Sequence, residues 1–451
     1  MDHETHRSAG DRLAEEGSAL AESAHERAGK VKKAAGGVFQ RAAERAQAVL
    51  TKLHPQRVVE VFDPHWHIGQ LDLHWPNGAI STLGGRGEGP HAAIHIHNFR
   101  FIRRILSGGA LGFARAYIEG DWDSPALEKV IEVAAFNRNE VAEIFRGRGW
   151  VRWLSRMRHA RRANTKDKAK DNISFHYDLG NSFYDQWLDP TMTYSAALFA
   201  GEERSLEHAQ LEKYRRLATQ LGLKPGDHVL EIGCGWGGFA HVAAGEFGAK
   251  VTGVTLSEEQ LAYARARMDK AGLSDLVRLE LCDYRDVQQT YDHIVSIEMF
   301  EAVGEEYWPT YFGMVNRCLK DGGKAALQII TIDEAAFEGY RTASDFIQTY
   351  IFPGGMLPSP SRLTQLTQAA SLAEEDRYWM GIDYADTLRA WREDFESAWT
   401  EGRIPPGFDD TFRRIWRYYL AYCEGGFRAG GIDVLQLTLH KDGRLSDVQK
   451  Q

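Results

Sequence analysis

Long apolar runs are missing from this 451-residue chain. The longest wholly apolar stretches are a handful of residues, such as Ala196–Ala200, against the roughly 20 that a bilayer-crossing helix needs. With 26% charged residues, that excludes a membrane-spanning protein. Cysteine is scarce as well. Cys234, Cys282, Cys318 and Cys423 are too few for a disulfide framework and lack metal-ligand spacing, so no metal site is expected. The N-terminus, MDHETHRSAGDRLAEEG, has no apolar core and does not read as a secretory signal. The expected setting is the reducing cytoplasm, free or at a membrane surface. A formal net charge of −9 argues against general nucleic-acid binding.

What is present divides the chain into four stretches. Residues 1–55 are rich in Ala, Glu, Lys and Arg, but their apolar face (Leu13, Leu20, Ala24, Val31) is thin and interrupted by glycine. They read either as a mobile, partly helical extension or as an amphipathic arm. Residues 56–145 read as a small α+β unit. It has a short apolar run at Val58–Phe62, an alternating strand at Gln70–His74, a turn at Trp75–Gly78 and a strand at Ala93–Ile96. Helices are expected around Phe99–Ser107, Leu111–Ile118 and Leu127–Asn137. Residues 146–170 carry ten basic side chains against the single acid Asp167. That is either a solvated linker or a contact for an anionic surface, where each base contributes about 1 kcal/mol. From 171 to 451, strands at His228–Ile232, Lys250–Val254, Val277–Leu281, His293–Ile297 and Lys324–Thr331 alternate with helices. This predicts an α/β doubly wound sheet of parallel strands. Val434–His440 alternates in period two and is expected to close it as an edge strand.

The most informative stretch is His228-Val-Leu-Glu-Ile-Gly-Cys-Gly-Trp-Gly-Gly238. A buried strand enters a glycine-rich turn and a helix opens near Gly237, an arrangement that lets backbone approach a ligand closely. Gly233, Gly235 and Gly238 satisfy the dinucleotide spacing. That reading needs an acid at the end of the next strand, where this chain has Thr255-Leu256-Ser257. The loop therefore fits the E-x-G-x-G-x-G turn of class I methyltransferases, which bind S-adenosylmethionine (SAM). Glu231 would orient the loop, while Gly233, Cys234 and Gly235 would lie along the methionine part. Thr255 and Leu256 would meet the ribose. Asp283 and Tyr284 would clamp the adenine.

Several longer strings resemble the cyclopropane-fatty-acyl-phospholipid synthase family, which includes the mycolic acid cyclopropane synthases. They are Phe175-His-Tyr-Asp-Leu-Gly-Asn181, Leu188-Asp-Pro-Thr-Met-Thr-Tyr-Ser195, Gly253-Val-Thr-Leu-Ser-Glu-Glu-Gln260 and Met299-Phe-Glu-Ala-Val-Gly304. Tyr350-Ile-Phe-Pro-Gly-Gly-Met-Leu-Pro-Ser359 and Tyr418-Tyr-Leu-Ala-Tyr-Cys-Glu-Gly-Gly-Phe-Arg428 extend the match over about 171–445, and a looser one reaches back to about 65. The resemblance implies a Rossmann-like catalytic domain behind an N-terminal lipid-associated domain. It implies methyl transfer from SAM to a cis double bond of a phospholipid acyl chain, with a bound bicarbonate ion as base.

Carried across residue by residue, the resemblance makes Glu301 and Tyr384 the side chains that hold the bicarbonate, with Ile330 and Ala196 contributing backbone. The family's histidine is replaced here by Gln328, which donates a hydrogen bond but takes no proton, and its cysteine is replaced by Ala196. Cys423 matches a cysteine sometimes marked as active, although no step calls for a thiolate. Tyr194 and Ser195 match residues at the SAM carboxylate, and Gln260 matches a ribose or methionine contact. Without the resemblance, Glu301 still reads as a ligand position at the carboxyl end of the fourth strand ahead of a helix cap, whereas Gln328 reads equally as a satisfied core amide and Tyr384 as a loop residue before a helix.

The leading expectation is thus a cyclopropane product formed at the inner membrane face on an unsaturated phospholipid. Methyl-branched or methylene chains are the alternative, because displaced deprotonation lets the cation shift a hydride. N-methylation of a small amine and a SAM-binding lipid carrier without turnover are the other readings. Nucleic acid is not expected as a partner, and a homodimer stays open.

Overall fold

The computed structural model describes residues 55–140, 179–342 and 344–442. The N-terminal extension, the basic stretch 146–170 and the first part of the Phe175–Asn181 string lie outside the described residues. The chain divides after Val58 into two compact units, and residues 59–451 form the second.

Within that second unit the first sheet has four strands: β1 (Gln70–His74), β2 (Ile80–Gly84), β3 (His91–Ile96) and β4 (Trp122–Asp123), in the order β2-β1-β3-β4. Period-two alternation puts Leu71 and Leu73 beside Ala92 and Ile94 on one buried face. The expected helices at 99–107 and 111–118 form one element, Arg100–Ile118, broken at Gly109, whose φ of 56° is open to glycine. Leu127–Phe136 follows as expected. The apolar run Val58–Phe62 belongs to a helix, Pro55–Phe62, which begins on a proline. Proline costs nothing at a first helical position, where its missing N–H has no partner to lose.

The second sheet has seven strands: β5 (His228–Ile232), β6 (Lys250–Thr255), β7 (Val277–Leu281), β8 (Tyr291–Ile297), β9 (Leu319–Ile332), β10 (Leu372–Trp379) and β11 (Ile432–Lys441). Their order is β10-β11-β9-β8-β5-β6-β7. The five strands β9 to β7 are parallel as expected, but β11 runs antiparallel to both its neighbours, β9 and β10, so the sheet is mixed. β11 is interior, paired over nine residues with β9, and the edge is β10. β10 escapes a hydropathy reading because Glu374, Glu375 and Asp376 stand in succession. Such charges suit an edge that must not recruit another strand. One apolar layer joins the sheet to the helix Trp308–Cys318 and includes the fully buried Trp308. The other joins it to the helices Leu206–Leu221, Gly238–Phe247 and Glu258–Ala271.

The small sheet docks on the helix Asp410–Arg428. Arg414 donates to Tyr117 O (2.8 Å) and Trp122 O (3.0 Å) and pairs with Asp123 (3.0 Å). A Cβ at Gly425 would sit 2.8 Å from Glu132 N, so that helix crossing requires glycine.

Candidate active site

β5 has β6 on one side and β8 on the other. Strand order therefore reverses at this point, and the carboxyl ends of the strands frame a crevice, the usual ligand position in such sheets. The turn after β5 uses left-handed backbone at Gly233 (φ 79°), Gly235 (φ 50°) and Gly237 (φ 79°). Val254 O accepts from the N–H groups of Gly233 and Cys234 (2.9 and 3.0 Å), pinning the turn to β6. A Cβ at Gly233 would come 2.9 Å from the Met299 side chain, whereas one at Gly235 would meet nothing within 4 Å. The helix Gly238–Phe247 opens directly behind, capped by Gly237.

Every cofactor residue expected from the sequence lines this one cavity. Tyr194 and Ser195 stand on one wall, Glu231, Gly233, Cys234 and Gly235 form the floor, and Thr255, Leu256 and Gln260 are at the end of β6. Asp283 and Tyr284 follow β7. Asp283 accepts from Arg285 N (2.9 Å), Nε (2.8 Å) and Nη2 (2.5 Å), so its carboxylate is held by a guanidinium beside the cavity. Burial pushes Tyr284 up to about 12. Tyr194 shares a hydrogen bond with Tyr419 (2.7 Å), and Ser195 Oγ accepts from the buried Lys213 Nζ (2.5 Å). Glu231 is buried and pushed up to about 8 by desolvation, with Oε2 unpartnered in this wall. An unmet acceptor, a glycine floor and a helix N-terminus fit a ligand with ribose hydroxyls and an amino-acid end, as S-adenosylmethionine has.

The expected proton-handling residues gather at the end of β8, around a carboxylate that the sequence reading passed over. Glu298 Oε1 accepts from Ala196 N (2.8 Å) and Gln328 Nε2 (2.7 Å), and its Oε2 accepts from Tyr384 OH (2.8 Å). Its backbone has φ 51° and its N–H donates to Gln328 O (2.8 Å), which aims the side chain between β8 and β9. Holding a non-glycine residue in the left-handed region costs about 1 kcal/mol or more, and such strain concentrates at functional positions. Burial raises the Glu298 carboxyl, while Lys213's charge and the Gln328, Ala196 and Tyr384 donors oppose that rise. The signal available in the sequence was the one applied to Glu301: an acid just past an apolar strand, in Ser296-Ile-Glu-Met-Phe-Glu301.

Glu301 sits three residues on, in a short 3-10 turn, and accepts from Ile330 N (2.5 Å). Ile330 thus contributes its backbone, but to Glu301. Burial, then the charge of Glu298, push Glu301 up to about 8, and its Oε2 is unpartnered. Two neighbouring buried carboxyls do not both ionise readily, so Glu301 is the neutral member at neutral pH. Tyr384 lies in the first turn of the helix Gly381–Thr400, not in a loop, and is buried. Gln328 is fully buried with all its groups engaged. Burial pushes the Cys423 thiol upward, which leaves it protonated. Of the groups that the resemblance assigns to bicarbonate, Ala196 N, Gln328 and Tyr384 are taken by Glu298 and the Ile330 N–H by Glu301, so only the unpartnered Glu301 Oε2 is left to face a second anion.

Residues 164–437 match the family of mycolic acid cyclopropane synthetases. Over 372 residues, 80% of this chain and 86% of the relative, the sequence is 41% identical to tuberculostearic acid methyltransferase UfaA1 of Mycobacterium tuberculosis. Over 389 residues it is 36% identical to the cyclopropane-fatty-acyl-phospholipid synthase of Escherichia coli, covering 85% of this chain and 95% of that one. The crystal structure of mycolic acid cyclopropane synthase CmaA1 complexed with SAH and CTAB superposes with a TM-score of 0.56 at 31% identity, covering 60% of this chain and 98% of that chain. A mixed seven-stranded sheet with a glycine turn at its switch point, and a match spanning most of the chain, identify this protein as an enzyme of the SAM-dependent fatty acid methyltransferase and cyclopropane synthase family.

Proposed function

We propose that this enzyme modifies the cis double bond of an unsaturated phospholipid acyl chain and that Glu298 collects the proton released. The observation that carries this is a buried carboxylate bearing three donors at the rim of the SAM cavity. When bound, S-adenosylmethionine supplies an electrophilic methyl carbon. Tyr194, Ser195, Glu231, the glycine turn, Thr255 and Gln260 would hold it, and Asp283 with Tyr284 would border its base. The olefin's electron pair would form the new carbon–carbon bond as the methyl–sulfur bond breaks, its electron pair leaving with S-adenosylhomocysteine, and a cation would be left on the acyl chain.

The residues must then keep water out and take one proton. Tyr194, Tyr384, Trp391 and Phe427 form an aromatic cluster beside Glu298, with ring centroids 4.6–6.1 Å apart, and aromatic faces tolerate a cation. Glu298, raised by burial, suits a general base, whose strength depends on a carboxyl higher than usual. Gln328 cannot accept the proton and serves only as a donor.

Two products share these steps. Loss of a proton from the transferred carbon with ring closure gives a cyclopropane. A prior hydride shift to the cation, then loss of the same kind of proton, gives a methylene branch; saturating it needs a separate reductant. The replacement of histidine by Gln328, together with 41% identity to a tuberculostearic acid methyltransferase, favours the methylene branch. Ring closure is the second reading, supported by Tyr384 bonding Glu298 and by Glu301 accepting from the Ile330 N–H. Incubation with SAM and monounsaturated phospholipid vesicles, followed by mass and proton NMR analysis of the acyl chains, separates them. An added 14 mass units with exomethylene protons supports the branch, and upfield ring protons support cyclopropanation. Unchanged lipid overturns the proposal.

The substrate lies in a membrane, and among the described residues no helix is long and apolar enough to cross one. The basic stretch 146–170 is proposed to hold the enzyme at the anionic inner face. Neutralising Arg156, Arg158, Arg161 and Arg162 weakens vesicle binding, most at low salt; unaltered binding returns the stretch to a linker.

A further inference from the structure

A line of polar side chains crosses the sheet behind Glu298. Asp376 on β10 accepts from Arg216 Nη2 (2.8 Å), and Arg216 Nη1 donates to Gln436 Oε1 (2.8 Å). Gln436 Nε2 donates to Gln328 Oε1 (3.0 Å), and Gln328 Nε2 donates to Glu298 Oε1 (2.7 Å). Gln436 and Gln328 are register partners on β11 and β9, and both are buried. Arg216, on the helix Leu206–Leu221, is also packed 4.2 Å from the centroid of the Tyr378 ring. The line thus runs from a half-exposed edge acid to the buried carboxylate.

Its direction follows from chemistry. An amide can present either its oxygen or its NH2 group to a neighbour, whereas a guanidinium only donates. Arg216 therefore forces Gln436 to offer oxygen outward and NH2 inward, and Gln328 must do the same. Without Arg216 nothing at the outer end fixes Gln436, and a turned Gln436 sets its oxygen against that of Gln328. The Gln328 amide is then held only from the inner side, by Glu298 and by the longer bond from its Nε2 to Ala196 O (3.3 Å). Turning it would set its oxygen against Glu298. That favours a protonated carboxyl, which cannot act as a base.

We propose that Arg216, acting through Gln436 and Gln328, is a positioning residue that fixes the direction of these hydrogen bonds and keeps Glu298 ready to accept the substrate's proton. This rests on Glu298 being the acceptor. Other groups facing Glu298 are Tyr384 from the helix Gly381–Thr400, the Ala196 N–H, the neutral Glu301 and the buried Lys213, whose ammonium is lowered to about 7 by burial against the pull of Glu298 and Asp189. The Ala196 carbonyl accepts from Gln328 Nε2 (3.3 Å) and favours the same direction at Gln328, while Arg216 is the group that fixes Gln436.

The test is the pH profile of kcat/KM on vesicles for the full-length wild type and the variants Arg216→Met, Arg216→Lys, Gln436→Met and Asp376→Asn. SAH binding and Tm are recorded for each to establish folding. Arg216→Met and Gln436→Met are expected to move the rising limb up by about one pH unit, a roughly tenfold loss at neutral pH, recovered at alkaline pH. Arg216→Lys, still donor-only, stays near wild type. Asp376→Asn, at the exposed edge, shifts the limb in the same direction by less. A folded Arg216→Met or Asp376→Asn protein with an unshifted profile, or one lowered equally at every pH, overturns the relay. Glu298→Gln separates the two ideas. If it stays active, the base assignment fails. If it is inactive while Arg216→Met keeps the wild-type profile, the relay alone fails.

Discussion

The cavity proposed to hold the cofactor and the carboxylate cluster proposed to accept the proton are built from different materials. The first is mostly backbone, at the consecutive ends of β5, β6 and β7, with glycines at Gly233, Gly235 and Gly237 in left-handed conformation. The second is mostly side chain, brought from residues 196, 298, 301, 328 and 384, and buried with raised carboxyls. Backbone donors carry no proton to titrate and depend little on pH. Buried side chains bring reactivity at the cost of desolvation and of dependence on every neighbour. The two halves should therefore fail separately, and that can be tested.

The sharpest separation is expected from Glu298→Gln. Loss of a positioned base costs about 1,000-fold in kcat, while the dissociation constant for SAH, read by calorimetry, stays near wild type. Tyr384→Phe comes next. It removes one hydrogen bond to a charged group, worth about 2 kcal/mol, and lowers kcat roughly 30-fold with the same spared affinity. The converse is Gly235→Val, which forces a branched residue to φ 50° and weakens SAH binding about tenfold. At saturating SAM its turnover recovers. Should Glu298→Gln weaken SAH binding as much as turnover, the halves are not independent.

The smallest effect is on stability. Glu301 is pushed up to about 8 from an ordinary 4.5, so the folded protein binds this proton more tightly than the unfolded chain does. The stabilisation is complete below the ordinary value and is lost as pH rises through about 8. Wild-type Tm should therefore fall from mildly acidic to mildly alkaline pH, and Glu301→Gln should flatten part of that slope. An unchanged slope would mean that Glu301 is ionised in the fold.

The same contrast explains what the sequence made legible. The glycine turn, Thr255, Gln260 and Asp283 are tied to strand ends, so local pattern locates them. All the cofactor positions fall in one cavity for that reason. Glu298 was missed because its importance comes from Ala196, Gln328 and Tyr384, which are 102, 30 and 86 residues away in the chain. Glu301 drew attention through its string, yet its partner is the Ile330 N–H. In the fold, the five parallel strands were readable from hydropathy, whereas β10 was hidden by three successive acids. The place of Val434–His440 depended on that hidden strand, so the expected edge became an interior strand.

The central claim is that the enzyme's own carboxylate takes the proton, with no external oxyanion needed. It is tested most directly by measuring wild-type turnover in carbonate-free buffer and titrating bicarbonate back. The account predicts full activity at the start and a flat response. Activity that is absent without bicarbonate and rises to a plateau as it is added would contradict it.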